Sequence, residues 1–111
     1  MGIQPWSENI ILVDLSKEPE MSDELDAVTE LVCDKDDYDV VIDFSNVDIV
    51  TSSNLSKLLN IHKPLADCRR RLILCGLDST IKGVFAVTGL DRIFEIVDDK
   101  FIALATLEMI G

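Results

Sequence analysis

The apolar positions of the chain fall into two alternating rhythms. Ile10-Ile11-Leu12-Val13, Val40-Val41-Ile42-Asp43-Phe44, Leu72-Ile73-Leu74-Cys75 and Ile93-Phe94-Glu95-Ile96-Val97 are short, near-continuous apolar runs. Such runs predict strands, and their lack of polar alternation predicts a sheet covered on both faces. Ile3 to Trp6 is expected to pair with the first run as a short edge strand. Between the runs the spacing lengthens. Met21, Leu25, Val28 and Val32 stand four, three and four residues apart, and Leu55, Leu58, Leu59, His62 and Leu65 recur at similar steps. Each set marks one face of a helix. Ile81, Val84, Phe85 and Thr88 mark a third helix, and an apolar stretch running towards Met109 marks a fourth.

Polar residues punctuate this alternation. Pro19 stands among Glu18, Glu20, Asp23 and Glu24 at the start of the first helix. Proline gives up no helical bond there, and acids meet the positive end of the helix dipole. The Asp-Lys-Asp-Asp run at 34–37 closes that helix in solvent, Ser45-Asn46 makes a turn, and Gly76 stops the third apolar run. Ser79 is expected to cap the third helix, Gly89 to relieve left-handed strain at its end, and Asp98 or Asp99 to cap the fourth. Strands alternating with helices predict an α/β fold: a central, mostly parallel or mixed sheet with about four helices packed on it. Strand order is not legible from the pattern.

At 111 residues the chain is expected to form one domain over its whole length, 1–111. With 48% hydrophobic and 28% charged residues it is a globular rather than a disordered chain. Ten Lys plus Arg against 21 Asp plus Glu leave a net charge of -11, which repels phosphate backbones and anionic lipids. Nucleic acid and membrane surfaces are therefore not the expected partners; a protein with a basic face is. Cys33, Cys68 and Cys75 are an odd number without close pairing, and His62 is the only histidine. Metal ligands need closer grouping, so no metal or cofactor is expected. The cysteines read as reduced and structural, with Cys33 and Cys75 in apolar runs as small hydrophobes. The first residues lack the basic and apolar regions of a signal peptide, and no apolar run approaches the ~20 residues of a membrane span. A cytoplasmic protein is expected.

The informative stretch is Asp48-Ile49-Val50-Thr51-Ser52-Ser53-Asn54. Its consecutive hydroxyls directly precede a helix whose first N–H groups lack internal partners. One of them is expected to cap the helix, worth about 1 kcal/mol. Another, if exposed, would sit where a phosphate meets oriented N–H donors and the positive dipole end. The two roles are compatible.

The run VVIDFSNVDIVTSSNLSKLL, residues 40–59, resembles the core of the STAS domains, specifically the anti-sigma factor antagonists. In that family an apolar strand ends in an Asp-x-Ser-like turn, and Asp-Ser-Ser-Gly-Leu then opens a helix. Leu72-Ile73-Leu74-Cys75-Gly76, and Gly89-Leu90 followed by Ile93-Phe94, match later segments in the right order. The likeness covers roughly residues 39–107; the family's early Gly-x-Leu-Asp turn is replaced by Lys17-Glu18-Pro19-Glu20. The resemblance implies a regulatory protein-binding domain, not an enzyme, with no small-molecule substrate. It would bind an anti-sigma factor that is itself a serine kinase and be released on phosphorylation. Aligning Thr51-Ser52-Ser53-Asn54 with the motif implies Ser52 as phosphoacceptor and Ser53 as the adjacent cap. Thr51, Ser53, Asn54 and Leu55 would make the partner-binding surface. Thr51 stands in place of the family aspartate and Asn54 in place of its glycine, which leaves a constitutive scaffold or interaction module as the alternative.

Other chemistry fares less well. A phosphorelay receiver domain shares the length and class, and Asp14 and Asp43 lie near strand ends, but no adjacent acidic pair follows the first strand and no Lys follows Leu72–Cys75. His62 reads as a packing histidine, without the cradle of a phosphohistidine site. Cys75 lacks neighbours that would activate a strand-end thiol. Arg69-Arg70-Arg71, the one basic cluster, reads as a solvated connector balancing local acids. A contact with an acidic partner or a phosphate is the other reading of it.

Overall fold

A computed structural model describes residues 2–34 and 37–110; Lys35 and Asp36 of the acidic run lie outside the described residues. The strands are β1 (Ile3–Ser7), β2 (Ile10–Asp14), β3 (Asp39–Asp43), β4 (Leu72–Cys75) and β5 (Glu95–Val97). The helices are α1 (Glu20–Asp34), α2 (Ser52–Asp67), α3 (Ser79–Thr88) and α4 (Lys100–Ile110), with a short 3-10 turn at Leu90–Arg92. The five strands form one sheet in sequential order, β1 antiparallel to β2 and every other pair parallel.

Sequential order decides where the helices go. Each parallel step from β2 to β5 advances in the same direction, so right-handed crossovers bring α1, α2 and α3 to one face. Successive residues of a strand then serve opposite faces. Ile11, Val13, Val40, Ile42, Leu72 and Leu74 belong to the larger core, with Met21, Leu25, Val28 and Val32 of α1 and Leu58, Ile61 and Leu65 of α2. Ile10, Leu12, Val41, Ile73 and Cys75 form the smaller core under Ala103, Leu104 and Leu107 of α4. Both faces are covered, which is why β2, β3 and β4 read as unbroken apolar runs.

Several boundaries differ from expectation for local reasons. Ser79 is the first helical residue of α3, and Asp78 is its cap, accepting from the Ile81 N–H at 2.9 Å. The carboxylate adds charge at the positive dipole end, which a hydroxyl does not. Asp99 caps α4, accepting from the Ile102 N–H at 2.9 Å. Gly89 ends α3 in the left-handed region, φ 77°, as expected. The last strand is shorter than predicted, because the N–H groups of Ile93 and Phe94 both donate to Leu90 O at 3.0 Å. Those amides close a turn and are lost to the ladder. Phe94 instead enters the larger core, edge-on to Phe85 at 5.8 Å and to His62 at 5.5 Å. Cys33 is exposed at the end of α1, contrary to its apolar reading, while Cys75 is buried. No helix among the described residues is long and apolar enough to cross a membrane.

Candidate functional site

The site begins where β3 ends. Asp43 is buried, and its Oδ1 accepts from the Ser45 N–H at 3.0 Å and from the Ser45 hydroxyl at 2.6 Å. This Asx-type turn bends the chain out of the sheet. Val47 is buried, its N–H donating to Phe44 O at 2.9 Å, and so anchors the loop that follows. The loop climbs through exposed Asp48 and Ile49 to Thr51, the residue before α2.

Thr51 is extended, with φ -104° and ψ 168°, and its Oγ1 accepts from the Asn54 N–H at 3.2 Å. Asn54 reaches back, its Oδ1 accepting from the Thr51 N–H at 2.9 Å. The pair is a capping box with asparagine in the place usually held by Glu or Gln. The expected cap at Ser53 is thereby corrected to Thr51, two residues earlier. Only the extended residue before the first turn can aim its oxygen at the N–H three positions on.

Asn54 is also corrected. It is only 1% exposed, so it acts beneath the surface where a contact residue was expected. Its Nδ2 donates to Glu18 Oε2 at 3.0 Å. Glu18 in turn accepts from the Ser22 N–H at 2.9 Å and the Ser22 hydroxyl at 2.7 Å. These donors, the Ser22 hydroxyl foremost and the Asn54 amide next, hold the Glu18 carboxyl below its ordinary range. Glu18 is the residue that sequence reasoning missed. Its acidic neighbours suggested a dipole partner for α1, and no local signal announces a contact with Asn54.

Thr51, Ser52 and Ser53 are exposed together, and Leu55 is half-buried against the larger core. Among the described hydrogen bonds, none uses the Ser52 or Ser53 hydroxyl. The first turn of α2 contains no acid, so its positive dipole end is not neutralised from within the helix. The arrangement offers a hydroxyl and helix N–H groups that have no partner among the described residues, on a turn pinned from below.

The remaining candidates settle into structural roles. His62 packs edge-on against Phe94. Burial first, and the Asp43 charge next, push the Cys75 thiol up to about 12, the reverse of activation. Arg70 pairs with Asp39 at 3.2 Å and Arg71 with Glu95. These two arginines tie strand starts together, so only Arg69 remains as a solvated connector. Asp14, Asp43, Asp99 and Lys100 share a cleft at the C-terminal edge of the sheet. No group of three or more His, Cys, Asp or Glu among the described residues is placed to hold a metal ion. The sequential strand order also differs from the 2-1-3-4-5 order of receiver domains, which sets that alternative aside.

Comparison with known proteins agrees with this geometry. The STAS domain pattern matches residues 9–101. A Bordetella bronchiseptica protein described as an anti-sigma factor antagonist, BtrV, is 28% identical over 87 residues, 78% of this chain and 75% of that protein. A STAS domain protein of Planctomyces limnophilus has the same fold, with TM-score 0.80, 18% identity and 96% of each chain covered. So has the Bacillus cell fate determinant SpoIIAA in its phosphorylated form, with TM-score 0.74, 15% identity, and 95% of this chain and 96% of that one covered.

Proposed function

This chain belongs to the STAS domain family, and from that premise we propose that it is a phosphorylation-gated binding protein of the anti-sigma factor antagonist kind. Unmodified, it engages an anti-sigma factor that is itself a serine kinase; phosphorylated at Ser52, it releases it. The observation that carries the reading is the division of labour at α2, where Thr51 caps the helix and Ser52 stands exposed, its hydroxyl without a hydrogen-bond partner among the described residues. A phosphate there gains the helix N–H donors and dipole, so the fold accommodates it. The same group adds nearly two negative charges to a contact surface, and desolvating them against a partner opposes binding. Thr51, Ser53 and the exposed part of Leu55 flank the acceptor as contact residues, and Asn54 supports them from below. The domain carries out no chemistry of its own and requires no cofactor. The solved phosphorylated form of SpoIIAA, a protein of the same fold, supports the reading by likeness.

The test is reconstitution with the anti-sigma serine kinase of the native host. Incubation with ATP is expected to place one phosphate on Ser52, located by mass mapping, and none on Ser52→Ala. Ser52→Asp, shown to be folded, is expected to bind the kinase at least about tenfold more weakly than wild type. Phosphorylation of Ser52→Ala would move the acceptor elsewhere. Unchanged binding by Ser52→Asp would favour a constitutive interaction module, a reading supported by a capping box that is complete without Ser52.

A further inference from the structure

The switch leaves the basic cluster unused. Arg69, Arg70 and Arg71 lie at the opposite edge of the sheet from Ser52, where Ile10 opens β2 and Asp39 opens β3. There Arg69, Arg70, Arg71, Ser7, Ile10 and Leu107 line an open cavity of about 580 Å³. The volume lies in the range of small-molecule sites.

Not all of this positive charge is neutralised. Asp39 accepts from Arg70 Nη2 at 3.2 Å and from the Arg71 N–H at 2.8 Å, and Glu95 holds the Arg71 guanidinium. Arg69 has no ion pair among the described residues. The Nε of Arg70 is buried without an acceptor among the described residues, a state that polar groups in folded proteins rarely keep. Arg69 is unusual in a second way. It has φ 59° and follows the end of α2, where the Arg70 N–H donates to Leu65 O at 2.8 Å and the Arg69 N–H to Ala66 O at 3.1 Å. This is a Schellman motif whose left-handed position, ordinarily glycine, holds an arginine. The exposed Arg69 and the part-exposed Arg70 thus share the wall of one cavity.

The exposed guanidinium of Arg69, without an ion pair among the described residues, can take an oxygen acceptor carrying negative charge. The planar guanidinium fork matches phosphate oxygens, and the Ser7 hydroxyl is a further possible donor. Ile10 and Leu107 are apolar and buried, suited to a non-polar body attached to the anion. Two carboxylates also line the cavity. Asp39 is engaged by Arg70 and Arg71, whereas Glu108 has no ion pair among the described residues and opposes an anion. We propose that this cavity binds a small organic phosphate, its phosphate held by the guanidinium groups of Arg69 and Arg70, its apolar part resting on Ile10 and Leu107.

The test is a titration of the full chain at neutral pH and constant ionic strength, followed by amide NMR. Phenyl phosphate, inorganic phosphate and benzoate are the probes. Phenyl phosphate is expected to give saturable shifts at Ser7, Asn9, Arg69, Arg70, Arg71 and Glu108, and to bind more tightly than either other probe. Arg69→Gly removes the guanidinium while relieving the left-handed backbone, so it folds, and it is expected to weaken binding about tenfold. Glu108→Gln is expected to tighten it. Ser52→Ala is expected to bind as wild type does, which separates this site from the switch. Absence of saturable shifts at these amides, or an unchanged affinity in Arg69→Gly, overturns the site. Benzoate binding as tightly as phenyl phosphate overturns the phosphate assignment.

Discussion

The buried amide of Asn54 donates to Glu18 across 36 positions of the chain, Nδ2 to Oε2 at 3.0 Å. With its other end, Oδ1 accepting from the Thr51 N–H, the same side chain closes the capping box. The start of α2 is thereby fastened to the connection between β2 and α1, and Ser52 is presented on a turn held from two sides. The glycine that the family motif carries at this position has no side chain to make either bond. The departure of Asn54 from the motif is therefore a local brace, added under the surface rather than on it.

The three hydroxyls are expected to separate cleanly on substitution. Thr51→Ala removes the acceptor for the Asn54 N–H and is expected to cost about 1 kcal/mol. Ser52→Ala and Ser53→Ala touch exposed side chains with no described hydrogen bond, and each is expected to stay within about 0.5 kcal/mol of wild type. Urea midpoints of the three variants decide the matter. A loss at Ser53 matching that at Thr51 would return the cap to Ser53.

Glu18 gives the brace a pH dependence. Its carboxyl is held below its ordinary value by the Ser22 hydroxyl and then by the Asn54 amide, so the folded chain favours the ionised form more than the unfolded chain does. The resulting stabilisation is complete above the unfolded value and is lost as pH falls through the lowered, folded one. Glu18→Gln is expected to be less stable than wild type at neutral pH, and the gap to close as pH falls through the lowered, folded value. Denaturation midpoints across that window, compared between the two proteins, isolate Glu18 from the other acids. A gap that persists unchanged at low pH would mean that the charge of Glu18 contributes nothing.

How much of this was legible depends on range in sequence. The runs at Ile10, Val40 and Leu72 became β2, β3 and β4 because a strand covered on both faces leaves a continuous apolar signature. The α1 face through Met21, Leu25, Val28 and Val32 was legible for the same reason: all four are buried in the larger core. Caps were legible to within a residue or two, since Asp78 stands beside Ser79 and Thr51 two residues before Ser53, and hydrogen-bond geometry rather than residue type chooses between them. The contact of Asn54 with Glu18 was illegible, because the two become neighbours only after the sheet brings its connections together. Ile93 and Phe94 carry strand propensity, and only the turn after Gly89 removes them from the ladder.

Two glycines are expected to respond in opposite directions to alanine. Gly76 has φ 71°, and a Cβ there would stand 2.5 Å from Asp43 Oδ1 and 2.6 Å from Ser45 Oγ. Both the backbone and the turn that leads to the site resist it, and Gly76→Ala is expected to destabilise by at least about 2 kcal/mol. Gly83 lies in α3 with nothing within 4 Å of a Cβ, so Gly83→Ala is expected to stabilise by about 0.5–1 kcal/mol. Thermal or urea unfolding of the pair reads both signs.

The cysteines are expected to divide by environment rather than by number. Cys33 and Cys68 are exposed, whereas Cys75 is buried in the smaller core between β3 and α4. Its thiol lies 3.6 Å from Ile42 O and is raised to about 12, chiefly by burial and then by the charge of Asp43. Since the thiolate is the reactive form, Cys75 is protected twice, by access and by protonation. A colorimetric thiol reagent at neutral pH is expected to titrate two cysteines promptly in the folded protein. The third should react only at the rate of opening, and promptly once denaturant is added. Cys75→Ser is expected to leave the two prompt equivalents unchanged and abolish the slow one, while placing a hydroxyl in the apolar smaller core. Three prompt equivalents in the folded wild type would mean that α4 does not stay closed over β4, and that the smaller core opens far more readily than the larger one beneath α1 and α2.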